Sequence, residues 1–212
     1  MGIDHIIVHD TRLRGTVHPR SNTRIIRTHC EPLSAITARI TRATRRQSRP
    51  TMANQAATHD GPVPVISLLG HGTDIATGPV AWAMQIGMEY IHQDNARAFG
   101  SGIRRCVSNR IRVLCCNGAN SADARQACSE LAVSAGVNVF AATTVQQYHQ
   151  IGTGSQLNGP MGGWINFGRW EGTVVRYGPD GSETIAFEGD PLIETSGTTN
   201  GPDVTDPYQV SC

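Results

Sequence analysis

The chain has 212 residues, 39% of them hydrophobic, with 23 glycines and 11 prolines. That length suits one domain of about 150 residues with appendages, and no apolar run approaches the roughly 20 residues that span a bilayer. The formal charge of +1 hides an asymmetry: there is no lysine, and ten of the eighteen arginines fall in the first 50 residues beside only three acids, Asp4, Asp10 and Glu31. A basic leading segment therefore precedes an acidic remainder. GC-rich coding accounts for an all-arginine composition, so the arginines alone do not argue for nucleic-acid binding.

No stretch near the N-terminus has the apolar length of a signal peptide. The six cysteines (Cys30, Cys106, Cys115, Cys116, Cys128 and Cys212) include an adjacent pair but no CxxC and no zinc-ligand spacing. The expectation is reduced thiols in a cytoplasmic protein, with no metal and no cofactor.

In chain order, residues 1–60 read as a basic, flexible arm and linker. Ile6-Ile7-Val8 is β-prone, and 34–46 has helical composition without a clean apolar stripe. From Gln47 to Gly61 the chain is small, polar and broken by Pro50, with Met52 a candidate start of the folded part. An apolar strand follows at 65–69, stopped by Gly70-His71-Gly72. Thr77-Gly78-Pro79 predicts a helix start, with Val80, Met84, Met88 and Ile91 as the buried stripe of a helix running to about His92. Phe99-Gly100-Ser101-Gly102 is expected to break the chain before a second strand at 110–114, which stops at Cys115-Cys116-Asn117-Gly118. A helix over 122–135 is capped by Asn120 or Ser121 and closed by Gly136. A third strand follows at 137–141. Alternating strands and helices of this kind predict an α/β fold with a mostly parallel sheet. Beyond a glycine-rich loop at 152–163, the alternating runs at 164–167, 173–177 and 184–187, with Pro179-Asp180-Gly181 as a turn, predict a C-terminal antiparallel meander. Residues 188–212 read as an extended acidic tail.

Two reactive side chains stand just past strand ends, where α/β sheets form their ligand crevice. Cys116 is the candidate nucleophile, because the turn after it leads to a helix N-terminus whose positive end favours a thiolate. His71 is the candidate general base and acid. Gly72 allows close backbone approach to a substrate, Asp74 is placed to orient His71 or meet a basic substrate residue, and Asn117 shapes the turn. Cys115 continues the strand and is assigned to the core. Glu89 and His92 share the expected helix but are read as surface residues. The glycine-rich loops lack the lysine and the strand–helix context of a phosphate loop.

Strand-His71-Gly72, helix, strand-Cys115-Cys116 resembles the caspase-like (clan CD) cysteine peptidases, and Ile66-Ser67-Leu68-Leu69-Gly70-His71-Gly72-Thr73-Asp74 looks closest to their bacterial toxin- and effector-associated branch. The resemblance spans 63–187, with Cys115 standing where the family more often has alanine, glycine or serine. It implies a caspase-like peptidase domain over 61–187, His71 and Cys116 as a catalytic dyad, and the N–H groups of Gly72 and Cys116 as an oxyanion hole. It further implies a protein or peptide substrate, the chain itself among the candidates. A small-molecule activator stays open, as does delivery into another cell as an effector. The alternative is a non-catalytic caspase-like module that binds a partner. A nucleic-acid binder built on the basic arm ranks last, because that arm has no aromatic residue for base stacking.

Overall fold

A computed structural model describes residues 3–13, 16–17, 22–45, 61–74, 82–144, 148–151, 164–166, 170, 172–187 and 209–210. In chain order its elements are β1 (His5–Asp10), β2 (Thr16–Val17), β3 (Thr23–Thr28), α1 (Leu33–Arg45), β4 (Val63–Leu69), β5 (Gly72–Asp74), β6 (Trp82–Met84), α2 (Ala96–Ile103), β7 (Val107–Leu114), α3 (Ala122–Ala135), β8 (Asn138–Ala142), β9 (Tyr148–Ile151), β10 (Trp164–Asn166), β11 (Val174–Tyr177), β12 (Glu183–Phe187) and β13 (Gln209–Val210).

The main sheet has seven strands in the order β12-β11-β8-β7-β4-β1-β3. β3, β1, β4, β7 and β8 are mutually parallel, and β11 and β12 add an antiparallel edge on β8. The α/β class with a mostly parallel sheet is as expected. From β3 the crossovers run in one direction, through α1 to β4, α2 to β7 and α3 to β8. Right-handed connections that all advance the same way place their helices on the same face. Accordingly Ile36 and Ile40 of α1, Phe99 and Ile103 of α2, and Leu131 of α3 join Ile6, Val8, Ile66, Leu68, Ile111 and Val113 of the strands in one core. The step from β1 to β3 runs the other way, and Leu13, just after β1, packs on the opposite face with Ile7, Leu69, Leu114, Ala142, Trp170 and Val174.

The basic leading segment is not a flexible arm over 3–13 and 22–45. β1 lies inside the sheet, between β3 and β4, with Ile6 and Val8 fully buried. α1 buries Leu33, Ile36, Ile40, Ala43 and Thr44, a narrow stripe at three- and four-residue steps that the surrounding arginines obscured. Met52 and the linker lie outside the described residues.

The helix expected up to His92 is absent from 82–92. Trp82–Met84 is instead a buried strand paired antiparallel with Gly72–Asp74. Left-handed backbone at Gly87 (φ 69°) and Tyr90 (φ 51°) breaks any helix here, and Met88, expected inside, is 62% exposed. Conversely, the expected break at 99–102 is the body of α2. A Cβ on Gly100 would come 3.0 Å from Leu131 O and 3.2 Å from Ala135 N of α3, so this glycine permits close helix packing rather than ending the helix. α3 begins and ends as expected: the Ser121 side chain accepts from Ala124 N, and Gly136 closes it in the left-handed region.

The meander is half as expected. β11 and β12 form a hairpin on the main sheet, whereas β10 belongs to a second sheet of order β13-β9-β10-β2. Gln209 and Val210, assigned to the tail, pair with His149 and Tyr148 of β9; residues 188–208 lie outside the described residues, as does the glycine-rich loop.

Candidate functional site

The parallel strands β3-β1-β4-β7-β8 follow a doubly wound order whose direction switches between β1 and β4, the place where such sheets leave a crevice beyond their carboxyl ends. His71 follows β4 and Cys116 follows β7, its neighbour in the sheet. Leu69 and Leu114 are opposite each other in register, so both turns start from the same level.

The turns meet through backbone. A Cβ built on Gly72 would lie 3.0 Å from Cys116 N, 2.9 Å from Cys116 C and on top of Cys116 O. Only a residue without a side chain fits there. The Gly70 N–H donates to Leu114 O at 3.5 Å, closing the strands just below. The His71 carbonyl accepts from Gln85 N at 2.7 Å, which ties it to the chain after β6. His71 itself is half-buried.

On the other side, Cys116 is 2% exposed and Cys115 0%. The Trp82 indole N–H donates to Cys116 O at 3.4 Å, so the β5–β6 hairpin roofs the cysteine turn. Asn117 adopts left-handed backbone (φ 53°), its N–H donating to Thr144 O at 3.2 Å, and Ala119 N donates to Ala142 O at 2.9 Å. The turn is thereby fixed against the end of β8. Asp74 is in β5, opposite Trp82; its side chain lies outside the described residues.

The thiols differ in state. Cys30, Cys106, Cys115 and Cys128 are free, whereas Cys116 is disulfide-bonded, its partner sulfur outside the described residues. The expectation of uniformly reduced cysteines fails at the one position assigned as nucleophile. Cys115 is a core residue, as its place on the strand implied. Burial, with a lesser contribution from Cys128, pushes its thiol well above the usual range, and burial together with Glu183 raises Cys128 to about 12. Neither can supply a thiolate near neutral pH.

A second constellation at the switch point escaped the sequence reading. The buried Asp10 carboxylate, at the end of β1, accepts from Arg12 N and Nε at 3.1 and 2.8 Å and from Gly87 N at 3.1 Å. Arg12 Nη2 also donates to Gly87 O at 2.7 Å, and its guanidinium lies 5.0 Å from the centre of the Tyr90 ring. Tyr90 Oη accepts from Gln85 Nε2 at 3.3 Å. Asp10 and Arg12 thus pin the turn at Gly87, whose Gln85 holds the His71 carbonyl. The available signal was an acid directly ending an apolar strand, Ile6-Ile7-Val8-His9-Asp10.

Glu89 and His92 do not share a helix. Glu89 Oε2 accepts from Leu33 N at 2.7 Å, satisfying a donor at the start of α1. His92 Nδ1 lies 3.6 Å from Asp94 Oδ2. Among the described residues no helix is long and apolar enough to cross a membrane, and no cluster of three metal-ligating side chains occurs. Comparison of the chain with protein-family models, curated proteins and solved structures finds no match.

Proposed function

We propose that the chain is a cysteine endopeptidase of the caspase-like kind, acting on itself or on a specific protein partner, with Cys116 as nucleophile and His71 as its acid and base. The observation that carries this reading is the backbone contact of Gly72 with Cys116 beyond the ends of adjacent parallel strands. It supports a shared site for the two reactive turns, which local sequence separates by some forty residues.

The chemistry requires the Cys116 disulfide to be reduced first by an external thiol, which leaves two thiols and an oxidised reductant. The Cys116 thiolate then attacks the scissile carbonyl carbon, and the oxyanion forms beside the N–H groups of Gly72 and Cys116. The His71 imidazolium protonates the leaving amine as the C–N bond breaks, giving a thioester. Water, deprotonated by His71, attacks the thioester, releases the acid and restores the thiol. Asp74 and Asn117 are supporting residues in this scheme: Asp74 ends β5, the strand that begins at the residue after His71, and Asn117 holds the turn after the nucleophile.

The second reading, a non-catalytic module that binds a partner, is favoured by one observation: Cys116 is buried as well as disulfide-bonded. A peptide bearing a thiol-directed electrophile separates the two. After mild reduction, Cys116 is expected to be labelled, and His71→Ala is expected to abolish labelling with the circular dichroism unchanged. If Cys116→Ala leaves every self-processing and partner-cleavage event intact, the peptidase reading is wrong.

A further inference from the structure

Four arginines, Arg12, Arg39, Arg97 and Arg125, are held in ion pairs with Asp10, Glu31, Glu130 and Glu183. Five others, Arg24, Arg42, Arg45, Arg104 and Arg105, are exposed and form no ion pair among the described residues. These five gather at one end of the fold. α1, α2 and α3 each return from the carboxyl ends of the strands to the amino ends, so their last turns come together at the amino edge of the sheet. Thr41 Oγ1 of α1 lies 3.6 Å from Cys106 Sγ, and Arg45, one turn beyond Thr41, shares its face of the helix. Arg104 and Arg105 immediately precede Cys106 in the turn from α2 to β7. Arg104 also lies beside the end of α3: a Cβ built on Gly136 would be 3.5 Å from Arg104 Nε. α1 and β3 are each roughly 20 Å long, which brings the last turn of α1 level with the start of this edge strand. There Arg24 shares the helix side with Ile26.

Helix C-termini draw cations, each presenting about half a negative charge. Five full positive charges exceed what three helix ends balance, and the last turns of α1, α2 and α3 contain no acidic residue. Asp4, the acid before β1, is already engaged by Asn22 Nδ2. Asn109, exposed near the start of β7, adds an uncharged donor beside the arginines. Arginine with asparagine is a side-chain set that contacts phosphate and sugar, and a guanidinium grips a phosphate through two parallel hydrogen bonds. From β3 to β7 is three strand spacings, roughly 15 Å, close to a duplex major groove about 12 Å wide. Backbone binding of this kind needs no aromatic platform, which serves single strands. A membrane surface matches less well. Of the exposed large apolar residues Met88, Val133 and Ile185, none lies on α1, on α2 or in the turn to β7.

We propose that this end of the domain binds the phosphate backbone of a nucleic-acid duplex without reading its sequence. The surface lies at the opposite end of the strands from His71 and Cys116, so it stands whether or not Cys116 is a nucleophile. Fluorescence anisotropy of the full chain with a labelled DNA duplex of about 20 base pairs tests it, with an RNA duplex of equal length run beside it. Affinity for at least one of them is expected to fall on the order of a hundredfold between about 50 and 200 mM salt, the dependence of four or five phosphate contacts. Two unrelated sequences are expected to bind alike. Arg42→Gln/Arg45→Gln/Arg104→Gln/Arg105→Gln is expected to abolish binding with the circular dichroism unchanged. Arg97→Gln, which removes an ion-paired arginine of α2, is expected to leave affinity within about twofold of the parent. The single variants Arg42→Gln and Arg104→Gln are each expected to reduce the salt slope by about one, which keeps the test readable if the fourfold variant misfolds. The proposal is overturned by no duplex binding at about 50 mM salt, or by parental binding and salt slope in the arginine variants. An equal loss in Arg97→Gln overturns it as well, since net charge would then be the cause, and so does binding to phosphatidylserine vesicles but to neither duplex.

Discussion

The two faces of the main sheet are built from the same strands, yet one is closed by three helices and the other mixes leucines with histidines and arginines. On the helix side, contacts are tight enough that Gly100 has no room for a methyl group against α3, and Cys106, Cys115 and Cys128 are fully enclosed. On the far side, a smaller apolar cluster around Leu69 and Leu114 shares the surface with His5, Arg110 and Arg112. The difference shows where folding free energy is concentrated: apolar burial is non-directional and scales with area, whereas exposed charges contribute little.

This contrast predicts a graded series. The largest effect belongs to Ile66, fully buried between β1 and β7 on the helix side. Ile66→Ala is expected to cost about 2–5 kcal/mol, measured by urea unfolding. Gly100→Ala follows, at about 1–3 kcal/mol, because overpacking forces α2 off α3; a stabilised variant would show that the helices separate without penalty. Thiol alkylation of the native protein at pH 8 is expected to modify exposed Cys30 and spare Cys115 and Cys128, whose thiols burial holds protonated. Rapid loss of all free thiols would contradict the closed face.

The far side has its own titration signature. Burial is the main cause that keeps the His9 pKa below its ordinary value of 6.5, and its Nε2 bonds Leu13 O at 2.9 Å. The unfolded chain therefore binds a proton at a higher pH than the folded one, so stability falls as pH drops from 6.5 towards the folded pKa and is level again below it. His9→Gln is expected to flatten that part of the Tm profile relative to the parent, and an unchanged slope would remove His9 from the account. The smallest effect is Arg176→Ala, exposed on β11, expected within about 0.5 kcal/mol of the parent.

How much was legible depended on whether local pattern and tertiary role agreed. β4, α3 and β8 announced themselves because their runs, caps and stops are local: Ser121 and Gly136 bracket α3 by their own chemistry. The segment from 82 to 92 misled because Val80, Met84, Met88 and Ile91 fall at helical spacing by chance, while the deciding features were the left-handed turns at Gly87 and Tyr90 and the pairing of Trp82–Met84 with Gly72–Asp74. Gly100 and Gly102 read as breakers because the helices they pack against are distant in sequence. At the candidate site, His71 and Cys116 were legible as strand-end residues. The Asp10–Arg12 clamp was not, since its partner Gly87 is 77 residues from Asp10.

The position of β1 has a consequence for any shortened version of the chain. A protein beginning at Met52 would lack both β1 and β3, and β4 would become the sheet's outer strand, offering the backbone groups that now pair with His5–His9. An apolar strand left open in this way templates intermolecular pairing. Such a chain is expected to form concentration-dependent aggregates, measurable by light scattering, and adding a peptide of residues 3–13 in trans should suppress them by restoring the missing neighbour.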